Sequence, residues 1–142
     1  MEKKNIIISV FMIVMLSICL WLLFNTGLNG LEKEVSKVEL PENIEKIAMK
    51  SGIGDSGGNG DYSTYRVVLV VKTEMTIEEL NKEFASRNLT YSTHIRNSGK
   101  PICYITHCEN KVFESAVTFK LTFDELDEIE DFSNYYFIEF IK

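Results

Sequence analysis

Residues 65–73, YRVVLVVKT, are the stretch that decides the fold. Apolar side chains, most of them β-branched, follow one another through its centre, so both faces of a strand formed here would be apolar. A continuous apolar run of this length is typical of an interior strand that is buried on both faces. The chain is therefore predicted to fold around a β-sheet with residues 65–73 in its interior.

A short helix is predicted directly after this strand. In TIEELNKEF, residues 76–84, Thr76 and Glu79 have the spacing of a capping box, in which each side chain bonds the other residue's backbone amide. Leu80 and Phe84 would then lie on one face of the helix. That face can pack against the sheet.

Three more strand signals follow in the second half of the chain. LTYSTHI (89–95) and ICYITH (102–107) are strand-like pieces separated by the turn residues RNSGKP. KVFESAVTFKLTF (111–123) alternates apolar and polar side chains, which is typical of a half-buried antiparallel strand.

A second helix and a last strand complete the predicted order. Thr122 and Glu125 repeat the capping-box spacing at the start of this helix, and NYYFIEFIK (134–142) is the final strand. Two copies of strand–helix–strand predict an α+β domain with a small antiparallel sheet. The arrangement that fits this order most directly is the ferredoxin-like βαββαβ fold.

A glycine-rich loop, residues 51–61, precedes the interior strand. It contains GDSGG, the sequence around the nucleophilic serine of trypsin-like proteases, and it also fits the phosphate-binding pattern G-x-G-x-x-G. Both interpretations fail on context. The two histidines, His94 and His107, follow Ser56, whereas those proteases have their histidine before the serine. The glycines lead into a strand, whereas a phosphate loop opens a helix. Asn-Gly-Asp is a strong turn signal, so we expect a hairpin loop.

A calcium site in this loop is the alternative for its acidic residues. Asp55, Asn59 and Asp61 lie at offsets 1, 5 and 7 of an EF-hand-like loop and offer the oxygen ligands that Ca²⁺ prefers. Arg66 stands at offset 12, where an EF-hand has a bidentate glutamate. These three residues are the metal candidates. The sequence predicts no cofactor and assigns no catalytic residue.

Cys103 and Cys108 are the candidates for a disulfide. A bridge needs Cα atoms about 4.4–6.8 Å apart, which five extended residues overshoot, so the chain would have to turn between them. Two reduced cysteines are the favoured alternative. With His94 and His107 they could also form a zinc set. The spacing lacks C-x-x-C and H-x₃-H, however, and a strand would project the two cysteines to opposite faces.

An amino-terminal membrane anchor is predicted from residues 6–24, IIISVFMIVMLSICLWLLF, which contain no charged residue. Nineteen helical residues span about the 30 Å hydrocarbon core of a bilayer. Trp21, near the end of the run, suits the aromatic belt at the interface. A cleaved signal peptide is the alternative, but its apolar region is shorter and ends in an A-x-A-like site.

The basic residues before this helix predict its orientation and the division of the chain. Lys3 and Lys4 favour an amino terminus inside the cell and a carboxy-terminal domain outside. The predicted segments are a cytoplasmic tail, a transmembrane helix, a stalk or linker, and an extracytoplasmic α+β domain, over residues 1–5, 6–24, 25–43 and 44–142.

The charge balance excludes nucleic acid as a partner. The chain has 21 acidic and 15 basic residues, and removing Glu2, Lys3 and Lys4 leaves a net charge of −7 for the rest. Such a domain lacks the basic patch that phosphate neutralisation needs, and its net charge does not draw it to an anionic lipid surface. DELDEIED, residues 124–131, is predicted to be the solvated face of the second helix, and a basic partner surface is the alternative.

One combination of motifs resembles a known group of proteins. IGDSGGNGDY, the apolar strand that ends in lysine, and T-x-x-E-L are similar to small uncharacterised single-pass membrane-anchored proteins of Gram-positive-type bacteria. The resemblance covers roughly residues 40–85. It implies a location in the cell envelope and no particular activity.

Two classes of function follow as hypotheses. The first is a non-enzymatic, membrane-tethered extracytoplasmic binding or accessory domain that binds another envelope protein or a small ligand. The alternative is an envelope-associated hydrolase that uses Asp55 and Ser56, or His94 and His107. They differ because a catalytic site needs converging polar groups with perturbed pKa values, whereas a binding domain needs only a complementary surface.

Overall fold

The computed structural model describes residues 2–55, 63–86, 102–115 and 119–142. These residues form an α+β fold, as the sequence predicts. In chain order its elements are α1 (Glu2–Asn25), α2 (Gly27–Ser36), β1 (Glu45–Asp55), β2 (Ser63–Lys72), α3 (Ile77–Ser86), β3 (Ile102–His107), β4 (Val112–Ser115), β5 (Phe119–Thr122), a 3₁₀ turn (Asp124–Leu126) and β6 (Tyr135–Ile141).

Four of the strands form one antiparallel sheet in the order β1-β2-β6-β3. β2 lies inside the sheet, because it pairs with β1 on one side and with β6 on the other. None of its residues from Val67 to Val71 is more than 2% exposed. The predicted interior strand is confirmed.

The side chains of β2 alternate between two cores on opposite faces of the sheet. α2 and α3 cover one face, and its buried residues include Leu31, Val35, Val67, Leu69, Val71, Leu80, Phe84, Cys103, Ile138 and Phe140. The β4–β5 hairpin and the 3₁₀ turn cover the other face, where the buried residues include Val68, Val70, Cys108, Phe113, Phe119, Phe123, Leu126 and Phe137.

The helix after the interior strand is confirmed, including its cap. The Thr76 amide donates to Glu79 Oε2 at 2.8 Å, and the Glu79 amide donates to Thr76 Oγ1 at 3.3 Å. The bond from the Thr76 amide holds the pKa of Glu79 below its usual value. Leu80 and Phe84 are buried against the sheet.

The linear order βαββαβ is not confirmed. Residues 111–123, predicted as one strand, fold back as the β4–β5 hairpin, in which Val112 pairs with Thr122. The predicted second helix is only a 3₁₀ turn, because Thr122 belongs to the hairpin and leaves no cap for a longer helix. The piece at residues 89–95 lies outside the described residues.

The segment predicted as a stalk contributes to the domain. α2 lies within residues 25–43, and it packs on the sheet through Leu31 and Val35, which are 0% and 2% exposed. The sequence that follows, ambiguous between helix and strand, becomes the edge strand β1.

α1 carries apolar side chains on all sides. From Ile8 to Leu23 its large apolar residues are 44–65% exposed. Within the described residues, no helix taken alone is long and apolar enough to qualify as a membrane span. α1 and α2 taken together, across the 60° bend between them, do qualify by length and composition.

Candidate functional site

The structure describes only part of the predicted loop site. Ser56, Asn59, Asp61 and His94 lie outside the described residues, so the calcium site and the serine-based hydrolase remain predictions. Asp55 is the last residue of β1, and its backbone pairs with that of Ser63 at the start of β2. Residues 56–62 therefore connect two neighbouring antiparallel strands, which is the position that the hairpin interpretation requires.

The first two glycines of the motif have a packing role. A Cβ atom on Gly52 would lie 2.7 Å from a ring carbon of Phe119, and one on Gly54 would lie 2.7 Å from Nε of Arg66. Neither distance is compatible with van der Waals contact. Glycine at these positions lets β5 and Arg66 lie directly on the backbone of β1.

Arg66 belongs to a buried charged cluster that the sequence analysis did not single out. Its Nη1 atom donates to Glu139 Oε1 at 2.5 Å, and both residues are 5% exposed. Ser115 Oγ accepts a second bond from Nη1 at 2.6 Å and donates to Glu139 Oε2 at 3.3 Å. Two strands of the sheet and the β4–β5 hairpin are thus joined by one polar network.

The remaining partners of Arg66 complete the network. Its Nε atom donates to Thr64 Oγ1 at 3.1 Å, and that hydroxyl donates to the Gly54 carbonyl at 3.2 Å. The guanidinium carbon lies 5.4 Å from the centre of the Phe119 ring, within the range of a cation–π contact. The cluster pairs its charges and uses its hydroxyls internally, so we assign it to positioning the hairpin on the sheet.

One sequence signal could have located this pair. Arg66 comes directly before the apolar run of β2, and Glu139 is the single charged residue of β6. A charge at such a position needs a buried partner. Their 73-residue separation hides the pairing, since only the β2–β6 register brings the two strands together.

A cleft of about 500 Å³ lies between the end of β3 and the β4–β5 hairpin. Its lining combines polar and charged residues with buried aromatic rings, and consists of Thr106, His107, Glu109, Asn110, Val112, Phe113, Glu114, Lys120 and Phe137. We call it the His107 cleft. A histidine and two acids, Glu109 and Glu114, are among its lining residues.

The His107 ring is held in place within this region. Its Nε2 atom lies 3.1 Å from the Ser133 carbonyl oxygen, and the ring packs edge-on against Tyr136 with 5.3 Å between ring centroids. Glu114 and Lys120 pair at 2.5 Å on the hairpin, with side chains 65% and 61% exposed. The cleft thus offers mixed charges over an apolar floor, a surface suited to recognition.

The two candidate cysteines are free thiols on opposite faces of the sheet. Cys103 is buried in the core beneath the helices, and Cys108 in the core beneath the hairpin. Burial raises the pKa of each thiol to about 12. Neither is poised as a nucleophile, and the opposite orientations explain why no bridge joins them.

Metal-binding clusters are absent from the part of the chain that the structure describes. There, no three histidine, cysteine or acidic residues come close enough together to hold a metal ion. Of the suggested zinc set, His94 lies outside that part.

The acidic segment 124–131 is partly neutralised by lysines. Lys50 Nζ lies 3.7 Å from Asp124 and 3.8 Å from Glu125, and it donates to the Thr122 carbonyl at 2.6 Å. Lys111 pairs with Asp127 at 2.6 Å. These contacts fix the segment to the sheet and to the hairpin, so part of its acidic character is used within the domain.

Comparison of the chain with profiles of known protein families, with curated proteins and with solved structures found no match in any of the three. The function is therefore inferred from the geometry above.

Proposed function

We propose that this protein is a membrane-tethered extracytoplasmic binding or accessory domain without catalytic activity. The observation that carries the proposal is α1, whose large apolar side chains from Ile8 to Leu23 are 44–65% exposed on every side of the helix. Such a surface is unfavourable in water and is stable when lipid tails cover it. α1 is thus the element that would hold the domain at a bilayer.

The polar groups of α1 are compatible with a lipid environment. Ser17 Oγ donates to the Ile13 carbonyl at 2.8 Å, and Thr26, directly after α1, donates from its Oγ1 to the Leu22 carbonyl at 2.5 Å. Hydroxyls that bond to a carbonyl of the helix avoid the cost of an unsatisfied donor in hydrocarbon. As a helix, residues 6–24 match the thickness of the hydrocarbon core of a bilayer. Lys3 and Lys4 favour an amino terminus inside the cell.

The positions of α1 and the His107 cleft support a tethered binding domain. Tyr65, at the start of β2, lies against Gly27 at the start of α2, so this end of the sheet is near the anchor. The strand continues to Lys72, and His107 pairs with Tyr136 at that same far end. Seven strand residues extend roughly 20 Å, which directs the cleft away from the bilayer and towards an envelope partner.

An exposed apolar residue near the anchor agrees with this orientation. Ile53 is 60% exposed, and among the described residues it is the large apolar side chain outside α1 that is strongly exposed. It pairs with Tyr65 at the end of the sheet near α2. A bilayer surface would cover part of it.

The polar groups described so far favour binding over catalysis. Ser115 is bonded to Arg66 and Glu139, and His107 Nε2 contacts a backbone carbonyl, so neither forms a nucleophile–base pair. The hydrolase alternative depends on Ser56 or His94. Loss of a measurable turnover in Ser56→Ala or His94→Ala protein would replace the proposal with that alternative.

The tether is tested by fractionation of cells that express the full chain. We expect the protein to stay in the membrane pellet after alkaline carbonate washing, and the variant Met15→Lys/Ile18→Lys to be released. In cells stripped of their wall, added protease should remove the carboxy-terminal domain. Wild-type protein in the supernatant, or a domain protected from the protease, would contradict the proposal.

The fold itself allows a more specific proposal, a circularly permuted ferredoxin-like domain. β2 and β3 each run antiparallel to β6, which lies between them, so β2–α3–β3 is a split βαβ unit. Read from β2 through β6 and then from α2 to β1, the main elements follow the order βαββαβ, with the β4–β5 hairpin as an insertion. α2 and α3 share one face, which supports this comparison.

A further inference from the structure

We propose that β1 binds an extended segment of another protein as a further strand of the sheet. Among the described residues, β1 is an edge strand whose single strand neighbour is β2. It is eleven residues long, and long exposed edges are where other chains add by backbone hydrogen bonding. The inference adds an interaction surface to the proposed function, and the choice of partner below rests on the proposed tether.

The register of the sheet shows which backbone groups of β1 face outwards. Tyr65 of β2 exchanges two backbone bonds of 3.0 Å with Lys142, directly after β6, so its N–H and C=O groups point towards β6. Successive residues of a strand point their backbone groups to opposite sides, so Arg66 points towards β1, where it pairs with Gly52. Ser51, which precedes Gly52, therefore directs its N–H and C=O groups away from β2.

Met49 and Ile53 follow the same alternation as Ser51, so each of the three presents an outward N–H and an outward C=O. These groups repeat about every 7 Å along the edge, which is the spacing of the matching groups on another β-strand. Among the described residues, none of the three forms a backbone bond outside the β1–β2 ladder. The edge thus offers a regular set of hydrogen-bonding groups to an added strand.

Residues 48–55 of β1 lack the features that usually protect a sheet edge. The irregularity in the pairing of β1 lies before them, between Lys46 and Ala48. The strand contains no proline. The charge of Lys50 could guard the edge, but its Nζ atom lies against the β4–β5 hairpin, where it donates to the Thr122 carbonyl at 2.6 Å. Within the described part of the chain, this edge is therefore open to a partner.

The side chains beside this edge specify the chemistry of the partner. Ile53 is 60% exposed, so an apolar side chain opposite it would remove apolar surface from water on both strands. Glu32 of α2 accepts a hydrogen bond from the Ser51 hydroxyl, which places a carboxylate beside the middle of the edge. Among the described residues Glu32 has no cationic partner, so a basic side chain opposite Ser51 would pair with it.

A second copy of this chain does not meet these requirements. In an antiparallel pair centred on Ser51, the second copy would present its own Ser51 where a basic side chain fits. Its strand would also run in the opposite direction, so its α1 would lie at the far end of the sheet from the bilayer that holds the first copy. The partner is therefore a different envelope protein, with an extended segment that is apolar opposite Ile53 and basic opposite Ser51.

A designed peptide is the probe. It is the heptapeptide Thr-Ile-Thr-Lys-Thr-Val-Thr, with fluorescein at one end and the other end blocked. Paired antiparallel with β1, it places its isoleucine opposite Ile53 and its lysine opposite Ser51. Fluorescence anisotropy measures its dissociation constant for the full chain in detergent micelles. NMR of the same sample measures the exchange rates of the Met49, Ser51 and Ile53 amides.

We expect the three outward amides to exchange fast in the free protein and to become protected when the peptide binds. A peptide with glutamate in place of its lysine should bind about tenfold more weakly, because the new charge meets Glu32. Methylation of the lysine's backbone nitrogen should abolish binding. Methylation of the next threonine's nitrogen should leave it unchanged, because that amide points away from β1. No binding, or equal effects of the two methyl groups, would overturn the inference.

A variant of the protein tests the same bond from the other side. Ser51→Pro removes one outward N–H and removes no bond to β2, so it should weaken peptide binding by about tenfold. The control Ser51→Ala loses the same hydroxyl, keeps the N–H and should bind as the wild type does. Equal losses in the two variants would contradict strand addition. If Ser51→Pro does not fold, the two methylated peptides decide the question.

Further results separate the sources of failure. Slow exchange of the three amides in a free monomer would show that another segment of the chain covers the edge. Slow exchange in a dimer would make a second copy the partner, and either result overturns the inference. Peptide binding in micelles does not depend on the tether, which the fractionation tests. A protein that binds the peptide but is released by carbonate would therefore keep the strand addition and lose the proposed tether.

Discussion

At the scale of single residues, Arg66 and Glu139 are the two charged residues that the described part of the domain buries. Their 2.5 Å contact compensates the desolvation of both groups, and Ser115 fills further hydrogen-bonding positions on each. A buried pair of this kind adds little to stability as a whole. Removing one partner is costly, because the other charge stays buried.

Glu139→Gln is therefore predicted to lower the free energy of unfolding by about 3 kcal/mol, since it leaves the Arg66 charge uncompensated. The double variant Arg66→Met/Glu139→Met should be less destabilised than Glu139→Gln. Urea unfolding followed by circular dichroism measures each variant.

The exposed pair Glu114–Lys120 is the matched control. Glu114→Gln should cost less than about 1 kcal/mol, because solvent screens this pair. A Glu139→Gln protein as stable as Glu114→Gln would show that the buried contact is not needed.

Gly52 in β1, which lies directly against the Phe119 ring, gives a second prediction for a single residue. Gly52→Ala is expected to cost about 1–3 kcal/mol, because the new methyl group would lie 2.7 Å from the Phe119 ring. Phe119→Leu removes that ring, so Gly52→Ala should cost less in its background than in the wild type. Thermal unfolding measures the cost of Gly52→Ala in the wild type and in the Phe119→Leu protein. If the two costs are equal, the loss comes from backbone conformation and contact with the ring is not its cause.

The buried thiols are predicted to be unreactive in the folded protein. With a pKa of about 12, Cys103 and Cys108 have about one thiolate in ten thousand at pH 8. Maleimide labelling read by mass spectrometry should modify neither until the protein is unfolded. Failure to label after unfolding without reductant would reveal a disulfide.

At the scale of elements, the α3 cap depends on pH. The pKa of Glu79 lies below 4.5 in the folded state, so its carboxylate stabilises the helix above that value and the effect is lost as the pH falls through the folded pKa. Glu79→Gln should lower the melting temperature at pH 6, because a neutral amide oxygen is a weaker acceptor for the Thr76 backbone N–H than the carboxylate is. The difference in melting temperature from the wild type should shrink between pH 5 and pH 3, and a constant difference would contradict the role of Glu79.

β2 and α3 were predictable because their signals are local. An apolar run and a capping box act within a few residues, and nothing in the tertiary structure opposes them. Residues 111–123 had an equally regular pattern, yet they form two strands. The alternation of apolar and polar residues shows which side chains face a core, but it does not show where the chain turns. A hairpin and a long strand can therefore have the same pattern.

The least predictable features depend on contacts between distant segments. The spacing of Leu31 and Val35 predicts an amphipathic helix or a stalk, and only the sheet beneath α2 shows that this face is buried. The role of Gly52 and Gly54 depends on Phe119, which is more than sixty residues away in the chain. The groove beside α2 is lined by residues from α2, from β2 and from the end of the chain. Sequence patterns cannot supply such sites without knowledge of the strand order.

At the scale of the whole molecule, the start of α2, which follows the proposed anchor α1, and the His107 cleft lie at opposite ends of the sheet. α2 follows α1 in the chain and packs on the face of the sheet that the helices cover. Its residues Leu31 and Val35 are buried in the core there. A tether that packs on the domain restricts its tilt, whereas a flexible stalk would leave the cleft free to point in any direction.

A circular permutant tests this architecture as a whole. The permutant begins at Ser63, joins Lys142 to Gly27 by a short glycine–serine linker, and ends at Asp55, which omits α1 and residues 56–62. The linker can be short because Lys142 and Gly27 line the same groove. We expect a soluble, cooperatively folding domain, because β1 keeps its ladder with β2 without the covalent loop.

The urea midpoint of the permutant is compared with that of the unpermuted domain, residues 26–142. A permutant that stays unfolded while the unpermuted domain folds would show that β1 depends on its hairpin connection, and the permuted ferredoxin-like assignment would lose its support.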